Sequence, residues 1–163
     1  MHKKIRIKYS RPWLLILWLR LHGMKPKEGA VYTFGSTVYA PSQLPDHLIT
    51  HERRHTIQQA GFLGPERWWF RYARDPEFRL SQEAEAYGDQ VMWVRDRVNR
   101  RHALKHLFGV ADLMASPMYG GMCDQERARA SIQDWCQQQA RSTDTTAKAK
   151  KVAMATSSIP STN

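Results

Sequence analysis

Cysteine is scarce in this sequence. Its two cysteines, Cys123 and Cys136, form no CxxC pair and have no nearby histidine. Two isolated thiols supply neither the disulfide network of a small secreted protein nor, by themselves, a zinc knuckle. We therefore expect reduced thiols in a cytoplasmic protein.

Long hydrophobic runs are missing as well. The main apolar run, from Trp13 to Leu19, ends at Arg20 and follows the basic stretch HKKIRIKYSR. It is far shorter than the ~20 residues of a membrane span, and no small-residue cleavage site follows it, as one would after a signal peptide. We expect a core or surface-docked helix over 12–22, with membrane association of that helix as the alternative.

Acidic residues are few: 15 Asp and Glu stand against 25 Lys and Arg, a net charge of +10 in 163 residues. This excess favours nucleic acid, acidic partners or anionic surfaces. Nucleic acid is a possible partner, but the sequence contains no motif that reads DNA or RNA, so a merely basic surface is favoured. The length suits one domain, and 42% hydrophobic residues indicate a folded globule of unknown oligomeric state.

Turn residues and hydrophobic periodicity predict an α+β, mostly helical fold. Residues 3–9 are an edge strand or an arm, and Val31 to Ala40 is a strand or a hairpin turning at Gly35-Ser36. Beyond residue 40, helices are predicted over 45–60, 66–74, 76 to about 101, 102–115 and 125–140. The basic, Ser/Thr-rich segment 141–163 is expected to be a disordered tail.

The stretch HERRH places His51 and His55 four residues apart, with Glu52 directly after the first histidine. On a helix, residues four apart lie on one face, so both imidazoles can reach one metal ion. This spacing suits two ligands of a tetrahedral zinc, with the glutamate beside them to act on a water molecule. The alternative is a chance match on a solvated helix face.

A third ligand is predicted on the helix that begins at Pro76. One stripe of this helix carries Leu80, Glu83, Tyr87, Val91, Val94 and Val98. Glu83 is the only charged residue of the stripe, and an unpaired carboxylate in a core costs several kcal/mol. Glu85 should face solvent, so Glu83 is preferred as the ligand; a buried salt bridge is the alternative.

Other histidines and aromatic residues have simpler interpretations. His47 is read as a helix-start or outer-shell residue. His102 and His106 repeat the four-residue spacing without a carboxylate pattern, so we attribute the spacing to chance. The aromatic residues of WWFRY, over 68–72, could stack on bases, but beside an amphipathic helix core packing is favoured.

HERRH, followed 28 residues later by Glu83-Ala84-Glu85-Ala86-Tyr87, resembles the zincin metallopeptidases of the gluzincin type. The closest resemblance is to the small, single-domain gluzincin-like proteins of bacteria and their phages, and it covers roughly 34–94. It implies a minimal zincin-like domain over 1–140, with a core at about 30–100. A short sheet or hairpin would lie beside the HExxH helix and the glutamate-bearing helix.

The resemblance implies a zinc-dependent peptidase. His51, His55 and Glu83 would bind Zn²⁺, and Glu52 would act as general base on a metal-activated water. Tyr87 would orient a ligand or stabilise the developing oxyanion. The strand over 35–39 could pair with an extended peptide substrate.

Arg53 and Arg54 depart from the family pattern, in which the residues between Glu52 and His55 are usually uncharged. Arg53 falls on the back of the helix, so either its chain snorkels or that face is more exposed than in relatives. Two other functions therefore stay open: a zinc-binding accessory or binding protein without catalysis, and, more remotely, a basic nucleic-acid-binding module.

Overall fold

The structure, a computed structural model, describes residues 5–156; the ends of the predicted arm and tail, 1–4 and 157–163, lie outside the described residues. Within this range the chain forms six α-helices and a three-stranded sheet. The strands are β1 (Arg6–Lys8), β2 (Tyr32–Phe34) and β3 (Thr37–Tyr39). The helices are α1 (Trp13–Leu21), α2 (Asp46–Gly61), α3 (Pro65–Arg74), α4 (Pro76–Arg97), α5 (Arg100–Met114) and α6 (Gln125–Thr156). The predicted α+β, mostly helical fold is confirmed.

The small sheet has the order β1-β3-β2. Strands β2 and β3 form the predicted hairpin, with Phe34 opposite Thr37 and Gly35 at a φ of 61°, which suits glycine. β1 pairs parallel with β3, so the predicted edge strand is confirmed over Arg6–Lys8. The consequence is that β3 has a neighbour on both sides.

Capping side chains set the ends of the helices around α4. The Asp75 carboxylate accepts a hydrogen bond from the Phe78 amide (3.0 Å), and Pro76 fits the first turn of α4. α4 ends at Arg97, not near residue 101 as predicted, because Asn99 caps a new helix by accepting a bond from the His102 amide (2.9 Å). Val98, predicted to continue the buried stripe, is therefore exposed.

The last helix is longer than predicted. α6 continues to Thr156 instead of ending at Ala140, so the prediction of a disordered tail is wrong for 141–156. Residues 141–146 are exposed, and the contacts there are local, such as Lys148 to Asp144 (3.4 Å) and the Thr145 hydroxyl to the Arg141 carbonyl (2.9 Å). With no apolar stripe, this segment has no tertiary signal in its sequence.

Buried residues form three clusters. The largest joins α4, α5 and α6, so the core extends past the predicted limit near residue 100. A second cluster joins α1, β2 and α3, and a third lies between the sheet and the start of α2. Within residues 5–156, no helix combines the length and the hydropathy needed to cross a membrane.

Candidate metal centre

Three side chains from α2 and α4 meet in the interior. The Nε2 atoms of His51 and His55 are 3.0 Å apart. A Glu83 oxygen lies 3.6 Å from Nε2 of His51, and the other lies 3.5 Å from Nε2 of His55. All three residues are buried, and their donor atoms lie within 4.8 Å of one another. This group could hold a metal ion.

The spacing of these atoms fits a small tetrahedral ion. Bonds of about 2.0–2.1 Å place two ligand atoms of a tetrahedron about 3.4 Å apart. The two imidazole nitrogens are 3.0 Å apart, and each has a different Glu83 oxygen nearby, at 3.6 Å from His51 and 3.5 Å from His55, so these pairs lie close to that value. In addition, Oε2 of Glu83 is buried and has no hydrogen-bond partner among the described residues. A cation bound by this group would satisfy it.

The charges at the site suit a cation. Burial, followed by the nearby His55 ring, lowers the pKa of His51 well below its ordinary value. A metal ligand must be neutral imidazole, so this shift favours the ligating form at neutral pH. Glu52 and Glu83 are buried carboxylates close to this imidazole pair.

Glu52 is held by the hairpin. The Thr33 hydroxyl donates to Oε2 of Glu52 (2.7 Å), and both residues are buried. Burial raises the pKa of the Glu52 carboxyl, and the opposing effects of His55 and the Thr33 hydrogen bond are smaller. A carboxylate with a raised pKa is a stronger base, which is the property required of a general base near neutral pH.

Two side chains of this candidate metal-binding group have hydrogen-bond partners that fix their orientation. The Tyr72 hydroxyl on α3 donates to Oε1 of Glu83 (2.6 Å). Nδ1 of His55 is 2.8 Å from Oε1 of Gln58, whose amide donates to the Gln82 carbonyl (2.9 Å) and to Glu85 (3.1 Å). Glu85 is thus half-buried and bonded to α2, not solvent-facing as predicted. Partners of this kind orient metal ligands.

His51 lies between two residues of α4. The Tyr87 ring packs on the His51 ring with centroids 4.3 Å apart, and its hydroxyl bonds to the Tyr119 hydroxyl (2.7 Å). Nδ1 of His51 and Oε1 of Gln90 are both buried without a geometric partner, although Gln90 is near enough to raise the pKa of His51 against the burial effect.

A buried side-chain amide connects α2, the helix of His51 and His55, to the hairpin. Gln59, the last buried residue of α2, accepts a bond from the Gly35 amide (2.6 Å) and donates to the Thr33 carbonyl (2.8 Å). The Trp69 indole donates to the same carbonyl (3.0 Å). These bonds fix β2, and with it Thr33, relative to α2.

The two arginines of HERRH differ in their surroundings. Arg53 is exposed, as is Ile57 one turn on, so the back of α2 faces solvent. Arg54 is largely buried: its guanidinium forms two bonds of 2.7 Å to Asp89 and lies 4.8 Å from the Trp135 ring centroid. Arg54 thus ties α2 to α4 and α6.

A cavity of about 240 Å³ opens beside the metal-binding group. Its walls include all the predicted site residues: His51, Glu52, His55, Glu83 and Tyr87. β2 and the segment before it also line the cavity, over 24–27 and 30–33. Tyr72 and Tyr119 also line the cavity, and burial raises the pKa of both hydroxyls, so both stay protonated.

Sequence patterns missed several residues of the site. Five further polar residues contact the site, each from a different element. They are Thr33 of the hairpin, Gln59 of α2, Tyr72 of α3, Gln90 of α4 and Tyr119 of a short 3-10 helix over Pro117–Tyr119. Two polar residues carried a usable signal, because Thr33 lies within an otherwise apolar strand and Gln59 on the inner face of α2. Tyr72, Gln90 and Tyr119 could be assigned to the site only from the tertiary fold.

Three predictions concern residues that neighbour the site. The strand over 35–39 cannot accept a peptide, because β3 is already paired with β1 and β2. His106 is not among the ligands; its ring packs against His47 (centroids 5.4 Å apart). Three of the four aromatic residues over 68–72 are core, as predicted: Trp68, Trp69 and Tyr72 are buried. The prediction is wrong for Phe70, which lies on the outer face of α3 and is 46% exposed.

Comparison with known protein families, curated proteins and solved structures finds no match for this chain.

Proposed function

We propose that this protein is a zinc-dependent peptidase of the gluzincin type. The observation that carries the proposal is the buried group of His51, His55 and Glu83, which has Glu52 beside it and a cavity in front of it. A merely structural site would be closed by four ligands, whereas three protein ligands leave a position for water or substrate. Two imidazoles and one carboxylate are typical of zinc.

When bound, zinc would supply Lewis-acid chemistry: it polarises a carbonyl group and makes water more acidic. Glu52 would take the proton of the attacking water at its carboxylate and deliver it to the leaving amine. The Thr33 hydroxyl keeps that carboxylate turned toward the site (2.7 Å). Its raised pKa supports both the acceptance and the later release of the proton.

The tyrosines would provide hydrogen-bond donors. Tyr87 and Tyr119 share a bond of 2.7 Å, and burial raises the pKa of each, so their hydroxyls remain neutral. One of the pair can donate to the oxyanion that develops on the substrate carbonyl. Tyr72 would keep its bond to Glu83 and thereby hold the ligand in place (2.6 Å).

The substrate would be a peptide segment lying along the cavity wall formed by 30–33. β2 is an outer strand of the sheet, and Ala30, Val31 and Tyr32 line the cavity. The Thr33 carbonyl is already bonded to Gln59 and Trp69, so the peptide would pair with the backbone upstream of it. This position replaces the strand over 35–39 as the peptide-binding segment.

Metal analysis of the purified protein tests the zinc site. We expect one zinc per wild-type chain, and a loss of zinc in His51→Ala and Glu83→Gln. Glu85→Gln is the matched control, because Glu85 lies on the same helix two residues away and does not belong to the group. Zinc-free wild type, or equal zinc in all variants, would refute the metal site.

A peptide-library cleavage assay tests catalysis. Wild type should cleave, and Glu52→Gln should retain zinc while losing activity by about a hundredfold or more. Equal activity of the two proteins would refute Glu52 as the general base. Zinc binding without cleavage in either protein would instead identify a non-catalytic zinc-binding domain.

A further inference from the structure

Helix α1 has two apolar faces, and only one of them is covered. Its inner face packs into the cluster with β2 and α3, where Leu19 is buried. Ile16 and Trp18 are partly buried against the same cluster. The outer face carries four large apolar side chains that remain exposed, at 66% for Trp13, 64% for Leu14, 49% for Leu17 and 75% for Leu21.

These four residues form one continuous strip. Trp13, Leu17 and Leu21 follow each other at four-residue intervals, and Leu14 lies beside them at three- and seven-residue intervals. The strip continues onto the hairpin, because a shallow depression is lined by Trp13, Leu14, Phe34 and Tyr39. Contiguous exposed apolar surface of this kind marks an interaction site.

Basic residues border the strip. Arg11, Arg20 and Lys27 line a second depression, together with Trp13 and Leu17. All three basic residues are exposed. One acidic residue, Glu28, lies in this depression, 3.6 Å from Arg11. The border therefore keeps an excess of positive charge.

We propose that α1 docks this protein onto an anionic membrane surface. The helix would lie in the plane of the interface, with Leu14, Leu17 and Leu21 among the upper acyl chains and Trp13 at the headgroup level. Arg11, Arg20 and Lys27 would bind lipid phosphates. The combination of aliphatic and Trp side chains with a basic border matches such a surface better than a protein partner, whose interface would need acidic residues in register with the border.

The position of α1 gives this docking a consequence for the metal centre. Leu19, on the inner face of the helix, lines the cavity, and so does Lys27 from the basic border. Docking would therefore bring the cavity close to the lipid surface. This proposal does not depend on metal binding or catalysis, because none of the strip or border residues contacts the metal-binding group.

Co-sedimentation with vesicles tests the proposal. The full-length protein should bind vesicles of phosphatidylcholine with phosphatidylglycerol, and bind pure phosphatidylcholine vesicles at least tenfold more weakly. Raising the salt from about 0.1 M to about 0.5 M should weaken the binding to anionic vesicles. Absence of binding to anionic vesicles, or equal binding to both kinds, refutes the proposal.

Two pairs of variants locate the surface. Leu17→Gln with Leu21→Gln should weaken binding at least tenfold, since two leucines leave the interface. The matched control is Leu104→Gln with Phe108→Gln, because these residues are also four apart and similarly exposed, at 53% and 46%, on α5. Equal loss in both, or loss in the control alone, contradicts docking through α1.

A charge-matched comparison tests the border. Arg11→Gln, Arg20→Gln and Lys27→Gln together should weaken binding to anionic vesicles by about tenfold or more. Arg97→Gln, Arg100→Gln and Arg101→Gln remove the same charge from exposed positions at the α4–α5 junction. Equal losses would mean that the net charge of the protein alone attracts it to the vesicles, and would contradict a basic border specific to α1.

Sedimentation velocity is a separate test of what covers the strip. If the wild type forms dimers but does not bind vesicles, and if Leu17→Gln with Leu21→Gln abolishes the dimers, a second copy of the chain covers the strip and the proposal is refuted.

Discussion

Glu83 is the residue whose position most needs an explanation. It lies on an apolar stripe of α4, is buried, and has one oxygen without a partner among the described residues. Among residues 5–156, no lysine or arginine forms an ion pair with Glu83. The titratable side chains next to its carboxylate are His51 and His55. The buried salt bridge with an arginine that the sequence left open is therefore not present. A bound metal cation would account for the buried carboxylate.

Arg54 has a structural role that its place inside HERRH did not suggest. Its guanidinium connects Asp89 on α4 with the Trp135 ring on α6, and the Trp135 indole also donates to Asp89 (2.8 Å). The three side chains hold α2, α4 and α6 together near the metal-binding group. Arg53 makes no comparable contact, and its face of the helix is exposed.

Substitution of the two arginines should separate these roles. Arg54→Met leaves the half-buried Asp89 without its cation and should lower the free energy of unfolding by about 1–3 kcal/mol. Arg53→Met should change it by less than about 0.5 kcal/mol, as is usual at exposed positions. Urea denaturation of both variants measures the difference. Equal midpoints would mean that the Arg54 contacts contribute nothing to stability.

At the scale of elements, helix faces were easier to predict than helix ends. The inner face of α4 was predicted correctly from Leu80 to Val94, because burial imposes a helical period on the sequence. The end at Arg97 was missed, since the Asn99 cap competes with a hydrophobic pattern that continues through Val98. The length of α6 was missed for a different reason: the sequence over 141–156 has no apolar stripe that would predict a helix.

The same distinction applies to the metal centre. The sequence predicted that His51, His55 and Glu83 come together, because four-residue spacing puts the two histidines on one face of α2 and Glu83 is a carboxylate on an apolar stripe of α4. Tyr72, Thr33 and Tyr119 could not be predicted, because their contacts join residues far apart in the chain. The pairing of β1 with β3, which closes the strand proposed for peptide binding, is likewise a long-range contact.

The packing of α6 on α4 depends on a glycine. A methyl group added at Gly88 would overlap the indole Cδ1 of Trp135, whereas one added at Gly109 on α5 would meet nothing within 4 Å. The Cys136 thiol is also close, 3.6 Å from the Gly88 carbonyl. The missing side chain therefore permits the close approach of the two helices.

Alanine substitution at the two glycines should have opposite effects. Gly88→Ala should destabilise the protein by about 1–3 kcal/mol, because Trp135 must move. Gly109→Ala should stabilise it by about 0.5–1 kcal/mol, since alanine is the better helix former and the site is open. Thermal unfolding of both variants measures the shifts. A stabilising Gly88→Ala would contradict the close packing of α4 and α6.

For the whole molecule, the metal-binding group joins separate parts of the fold. His51 and His55 come from α2 and Glu83 from α4, which belongs to the largest core cluster. Tyr72 adds α3, and Thr33 adds the hairpin next to Glu52. Removal of a bound cation would leave two buried carboxylates without positive charge and loosen all of these contacts together.

Zinc should therefore raise the melting temperature of the whole domain. At free zinc a thousand times Kd, the gain is about 4 kcal/mol, which corresponds to about 8–16 °C for a chain of this size. Scanning calorimetry with EDTA and with added zinc measures the shift. The His51→Ala, His55→Ala double variant is the control, and a zinc-dependent shift that persists in it would place the stabilising ion elsewhere.

The position of Trp68 has a spectroscopic consequence. Its indole is 1% exposed, and its ring centroid lies 5.5 Å from that of His55. A buried indole of this kind fluoresces at shorter wavelength than an exposed indole such as that of Trp13, so its emission lies at the blue edge of the protein's tryptophan band. A paramagnetic ion such as Co²⁺ or Cu²⁺ bound at His55 would quench the fluorescence of Trp68, so the blue edge of the protein's emission would fall first. The unlabelled protein would therefore carry its own optical probe of metal binding.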